Sequence, residues 1–361
     1  MNQELTISAI NFTAAVVPLD RPVHTASGSV EVSPLILIDL LTEEGVTGHA
    51  YLFCYTPLAH KPVFETLLNL EPLLIGQKAD PVNVRKILDG AFRLVGDQGF
   101  AGMAVAGIDM ACWDALARAA ELPLNRLLGG NNSSPLATYD SLGMIAPDNI
   151  ESVLQETLDA GFKAVKIKLG FPDVATDIEV VRRGRAVLGD DVDFMVDYNQ
   201  SLRAPEAISR IQKLSEFDLL WIEEPVLATA HEDSATVRSS VNTAIQLGEN
   251  WWGPADMKLS LDYGASDFVM PDVMKIGGVS GWKKAAAMAE AEGLPMSSHL
   301  FCEISAHLML VTPTRHYLEY LDVASAVLQS PLQIEDGAAI VPDRPGSGLE
   351  WDLDAVKHYQ V

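Results

Sequence analysis

The sequence predicts an α/β protein, a closed (β/α)8 barrel preceded by an α+β region. Three observations predict it. The first third sets strand-like runs and a hairpin ahead of three helical patterns. Residues 131–330 then alternate short apolar runs with amphipathic helical stretches. Those runs number about eight. Near-continuous apolar strands alternating with helices are parallel strands covered on their outer face, and eight such units favour a closed barrel over an open sheet.

In order, Gln3 to about Val17 reads as a strand rich in β-branched residues, and Pro18 ends it. A polar loop follows, Arg21–Val30. Leu35–Leu41 and Val46–Phe53 form a hairpin through Thr42-Glu43-Glu44-Gly45. Helices are expected near 59–76, 81–95 and 100–128, the last stopping at Gly129-Gly130. The barrel strands are expected at Ala137–Ser141, Ala164–Leu169, Phe194–Tyr198, Leu219–Glu223, Ala244–Gly248, Phe268–Met270, Pro295–His299 and Tyr317–Leu321. Residues 331–361, with Pro342, Pro345 and several glycines, break the rhythm and read as a tail leaving the barrel. The expected organisation is 1–130, 131–330 and 331–361.

The chain has 361 residues, enough for two domains. Its formal net charge of −24 argues against nucleic acid and anionic membranes as partners. Cys54, Cys112 and Cys302 form no CxxC pair and read as buried thiols in a reducing cytoplasm. The start, MNQELTISAI, lacks the pattern of a signal peptide. No apolar run is expected to span a membrane.

In a parallel barrel, reactive groups gather at the C-terminal strand ends. Reading those ends in turn gives Lys166-Ile167-Lys168, Asp197-Tyr198-Asn199, Glu223-Glu224-Pro225, Gly248-Glu249-Asn250, Asp272, His299 and Glu319. Asp197, Glu223 and Glu249 stand 26 residues apart in each step, about one βα unit, and so reach adjacent strands. Three clustered carboxylates call for a cation. Oxygen-only ligands point to a hard metal, Mg²⁺, with Mn²⁺ as a substitute. Lys166 and Lys168 share one face of their strand, and two neighbouring ammonium groups depress each other's pKa. Asp272 can fix the tautomer of His299 and raise its basicity. Lys168 and His299 then flank a substrate from opposite sides of the ring. Glu319, kept protonated, can donate a hydrogen bond. These parts imply α-proton abstraction from a carboxylate substrate through an enediolate, with racemisation or epimerisation as the outcome.

The segments KIK, VDYNQ, WIEEP, GENW, PDVMKIGG and SSHLFCEISAHL resemble the enolase superfamily, mandelate racemase subgroup. The likeness runs the whole length of the chain, including PVHTASGSV and LFCYTP. It implies an α+β capping domain, completed by the tail, over a modified (β/α)7β barrel. It implies Mg²⁺ on Asp197, Glu223 and Glu249, and Lys168 and the His299–Asp272 dyad as bases for opposite enantiomers. It further implies that Lys166 and Glu319 hold the substrate carboxylate, with Ser141 as another contact, and that Asn199 meets the α-hydroxyl. The apolar pocket would comprise Val23, Ser27, Val30, Phe53, Tyr55, Leu300 and Leu321, suiting an aryl or bulky apolar group on an α-hydroxy acid. Ser27 departs from the family pattern, which has valine there, and favours a polar substituent. The expected partners are a small carboxylate substrate and further copies of the same chain.

An acid-sugar dehydratase with the same metal and bases is the near alternative, and it needs a more polar pocket. A Schiff-base aldolase using Lys168 is opposed by the three carboxylates. A non-catalytic binding protein is opposed by the complete set of bases. Gly277–Gly281 reads as a tight turn opening a helix rather than a phosphate loop. His299, Glu303 and His307 lack the HExxH pattern of a zinc helix, and no GxSxG elbow occurs.

Overall fold

The computed structural model describes residues 4–26, 28–131 and 135–361, so Gln3 and Ser27 lie outside the described residues. β1 (Ile7–Thr25), β2 (Gly28–Thr42) and β3 (Thr47–Phe53) form an antiparallel sheet in that order. The expected polar loop is instead the outer part of the β1–β2 hairpin. Val23 pairs with Val30, His24 with Ser29 and Thr25 with Gly28. Pro18 does not end the first strand. It lacks an amide hydrogen, so the ladder is irregular between Pro18 and Val23 and then resumes.

α1 (Pro57–Leu74) starts where the Thr56 side chain accepts from Leu58 N and Pro57 occupies the first turn. α2 (Pro81–Phe92) starts in the same way on Asp80 and Pro81. The third expected helix is two, α3 (Phe100–Ala119) and α4 (Leu124–Leu127). Glu121, at φ +56°, and Pro123 break it. Contrary to expectation, α3 is long and apolar enough to cross a membrane, but 72% of that stretch is buried inside the protein. It packs against β3 and α1, which makes it a core helix.

The barrel alternates β4 (Leu136–Met144), α5 (Ile150–Asp159), β5 (Ala164–Lys168), α6 (Val174–Leu188), β6 (Asp193–Asp197), α7 (Ala204–Leu214), β7 (Ile222–Glu223), α8 (His231–Ser240), β8 (Ile245–Leu247), α9 (Gly253–Asp262), β9 (Phe268–Val269), α10 (Gly278–Glu292), α11 (Cys302–Leu310) and β10 (Leu318–Tyr320). Strands β4 to β9 pair in parallel in chain order, and β10 returns to β4. Pro295–His299 is not a continuous strand. Met296 bridges Val269 on one side and Arg315 on the other, and His299 bridges Asp272. Pro295 offers no donor, and Leu300 and Phe301 turn into the left-handed region at φ +50° and +49°. The later strands are shorter than expected because tilt and twist leave only a few residues in ladder register.

The tail does not simply leave the barrel. β11 (Gln333–Glu335) and β12 (Ala338–Ile340) form a hairpin that pairs with β4 at Ala338 and Ala137. α12 (Leu353–Tyr359) packs on β1, where Val361 N donates to Ala14 O. One apolar core runs through both the N-terminal sheet and the barrel. A second cluster of Tyr139, Ala164, Met195 and Trp221 fills the barrel interior.

Candidate metal centre and active site

Strand register builds the centre. Lys168 is the register partner of Asp197, and Asp197 that of Glu223, so the three lie in one row across β5, β6 and β7. Glu249 joins them just past β8. Asp197, Glu223 and Glu249 are buried, and each offers an oxygen within 4.8 Å of the others. Asn199 holds Asp197 through its backbone N (2.7 Å) and Nδ2 (2.8 Å). Trp221 Nε1 donates to Glu223 at 3.2 Å. Asn250 Nδ2 donates to Glu249 at 3.0 Å and to Glu224 at 2.7 Å.

The lysines sit inside this cluster. Lys166 Nζ lies 2.6 Å from Glu223 and 2.9 Å from Glu319, and Lys168 Nζ lies 2.6 Å from Asp197. Across the ring, His299 Nδ1 meets Asp272 at 2.9 Å and its Nε2 meets Glu249 at 3.0 Å. Glu319 accepts from Ser141 Oγ and from Leu300 N, both at 2.8 Å.

Burial penalises every charge here, and pairing decides the result. It pulls Lys166 down, but Glu223 and Glu319 outweigh it and the ammonium ends well above its ordinary range. It pulls Lys168 down too, and Asp197 outweighs it. Lys166 depresses Lys168 only as a lesser effect, so the mutual depression expected from the sequence is overridden. Burial pushes Glu223 up to about 8 against the pull of Lys166. At Glu249 the pull of His299 overcomes burial and holds the carboxyl well below its usual range. His299 rises to about 10 because Glu249 and Glu319 outweigh its burial. Glu319 falls to about 2, since Lys166 and His299 overcome its burial. In this structure it accepts from Ser141, from Leu300 N and from Lys166.

The N-terminal sheet reaches this face of the barrel. A Cβ at Gly143, in β4, would lie 2.8 Å from His24 N and 3.4 Å from Val23 Cα. One at Gly170, just past β5 and at φ +111°, would lie 2.8 Å from Ala26 Cβ. Glycine at both positions lets the β1–β2 arm press on the strand ends. Val23, Phe53 and Leu300 are buried, and Val30, Tyr55 and Leu321 are partly so. Phe53 lies 4.9 Å from Tyr55, whose ring stacks 6.5 Å from His299. Tyr55 is more than an apolar wall, because its OH donates to Asp272 at 2.8 Å. Sequence reasoning gave no role to Glu224, Asn250 or Lys275, although GENW and PDVMKIGG contain the latter two. Tyr55, Asn199, Gln200, Glu224, Leu300 and Phe301 all adopt positive φ, from +36° to +62°.

The donor set fits a small hard cation: oxygen ligands only, buried, and converging on one point. Barrel, carboxylates and flanking bases together define a divalent-metal enzyme. The chain belongs to the enolase superfamily, mandelate racemase subgroup. Residues 149–355 match the enolase C-terminal domain-like family, and residues 8–129 match the mandelate racemase / muconate lactonizing enzyme N-terminal domain. The three carboxylates are a donor set that Mg²⁺ fits. A similar solved structure is an enolase from Bradyrhizobium complexed with magnesium and mandelic acid. It is 45% identical, covers 100% of both chains and has a TM-score of 0.96. L-talarate/galactarate dehydratase of Salmonella typhimurium is 30% identical over 98% of this chain and 91% of its own. N-succinyl-L-Arg/Lys racemase of Bacillus cereus is 28% identical over 80% of this chain and 78% of its own.

Proposed function

We propose that this chain is a racemase of α-hydroxy carboxylates, acting on mandelate or a related aryl or apolar 2-hydroxy acid. The observation that carries the reading is the pair of bases facing the carboxylate cluster from different sides, Lys168 on β5 and His299 held by Asp272. Asp197, Glu223 and Glu249 would hold Mg²⁺. When bound, the cation supplies positive charge against the charge developing on the substrate carboxylate. Lys166 binds one carboxylate oxygen, and Ser141 and Glu319 meet the other. Glu319, when protonated, would donate to that oxygen. Asn199 contacts the α-hydroxyl. One base accepts the α-proton and the other returns a proton to the opposite face, which requires one neutral and one protonated group. Val23, Val30, Phe53, Tyr55, Leu300 and Leu321 wall the side-chain pocket, and Mn²⁺ substitutes for Mg²⁺. The enzyme works as a homo-oligomer.

Likeness to a protein crystallised with mandelic acid supports this reading. Likeness to L-talarate/galactarate dehydratase favours a second one, dehydration of an acid sugar by the same groups. Incubation with each mandelate enantiomer in deuterated water separates them. Exchange at the α-carbon with inversion is expected. Keto-acid formation from a sugar acid, with no exchange of mandelate, would replace the first reading by the second.

A further inference from the structure

We propose that Lys275 is a positioning residue that ties the metal ligand Glu249 to the His299–Asp272 base. The base half rests on the function proposed above, and the metal half rests on the ligand set alone. Lys275 lies between β9 and α10 and is only 8% exposed. Among the described residues no carboxylate lies within ion-pair distance of it. Glu224 and Glu249 feel its charge only from beyond that distance, and a buried ammonium without a direct ion pair is costly to hold, so its place needs a further reason.

Its contacts supply one. The ammonium donates to Asn250 Oδ1 at 2.6 Å. That turns the amide so that Nδ2 faces Glu249 and Glu224. The same ammonium sits 4.3 Å from the centroid of the Tyr55 ring, on the attractive face of its π system. Tyr55 OH donates to Asp272 Oδ2, the oxygen that also meets His299 Nδ1. The Lys275 backbone N–H donates to the other oxygen, Asp272 Oδ1, at 3.0 Å. One residue thus reaches a metal ligand through Asn250 and the base dyad through Tyr55 and its own amide. Partners that orient ligands in this way typically change metal affinity about 10- to 100-fold when removed.

The test is the Mg²⁺ dissociation constant of the full chain, measured calorimetrically without substrate. Lys275→Met keeps the apolar stem and removes the donor, and it should weaken Mg²⁺ binding about tenfold or more. Lys275→Arg should restore most of the loss. Asn250→Ala cuts the same link from the other end and should weaken binding similarly, and Lys275→Gln decides the matter if Lys275→Met does not fold. Tyr55→Phe keeps the ring and loses the hydroxyl. It should leave Mg²⁺ affinity near wild type while slowing deuterium exchange through His299 more than through Lys168. Wild-type Mg²⁺ affinity in the folded Lys275 and Asn250 variants would overturn the proposal. A wild-type enzyme that binds Mg²⁺ but exchanges no mandelate would defeat the function reading and leave the calorimetric arm deciding this one.

Discussion

Glu303 joins the N-terminal sheet to the barrel, and replacing it with glutamine tests that joint through pH. The residue sits in the first turn of α11, buried, and accepts from Tyr51 OH of β3 at 2.7 Å. Burial pushes its carboxyl from 4.5 up to about 7, against the opposing hydrogen bond from Tyr51. A rise of that size corresponds to about 3 kcal/mol of linkage. Between those two values the folded protein binds more protons than the unfolded one. Stability from this group is therefore complete below about pH 4.5 and lost as pH rises through about 7. Glu303→Gln cannot titrate. Tyr51, Cys302, Tyr320 and Asp322, the other ionisable groups facing Glu303, are the same in both proteins. The variant should thus gain on wild type by about 3 kcal/mol between pH 5 and pH 8, or about 4 °C in Tm for a chain of this length. Paired thermal melts across that range measure it. A difference that is flat with pH, or one that favours the variant more in acid, would refute the reasoning.

Three further outcomes are expected. Lys168→Ala and His299→Asn should each lower α-proton exchange of a different mandelate enantiomer by about 10²- to 10⁴-fold, read by proton NMR in deuterated water; equal losses for both enantiomers would contradict opposed bases. EDTA should abolish activity and Mg²⁺ restore it, and saturating Mg²⁺ at a hundred times Kd should add about 2.7 kcal/mol to stability, an effect that Asp197→Asn should largely remove. Gly143→Ala should push the β1–β2 arm off the strand ends and raise KM, while calorimetric Mg²⁺ affinity stays near wild type.

The barrel and its ligands were legible in the sequence because both rest on local patterns. An apolar run followed by a carboxylate, repeated at the length of one βα unit, places Asp197, Glu223 and Glu249 without any knowledge of packing. The β1–β2 arm was not legible. Its residues are polar and read as a loop although they pair locally, and its seat on the barrel meets Gly143 and Gly170, which lie more than a hundred residues away in the chain. The break between α3 and α4 was hidden by an apolar pattern that continues past Pro123. Protonation was the least accessible property. The sequence put Lys166 beside Lys168, but their charge states follow from Glu223, Glu319 and Asp197, whose approach only the closed barrel sets. Lys275 was hidden for a related reason, since its partners Asn250 and Tyr55 come from a different strand end and a different sheet.

Six of the nine non-glycine residues held at positive φ among the described residues surround the carboxylate cluster, and they have a consequence for engineering. Left-handed backbone costs roughly 1–2 kcal/mol at a residue with a side chain, and here it gathers at Tyr55, at Asn199 and Gln200, at Glu224, and at Leu300 and Phe301. A search for heat-tolerant variants would be drawn to these positions, where glycine relieves the local conformation. The same relief would loosen the neighbours of Asp272, Asp197, Glu223 and His299. Variants hardened by this route should lose turnover as they gain melting temperature, whereas helix caps such as Asp80 and Asp173 lie outside that conflict.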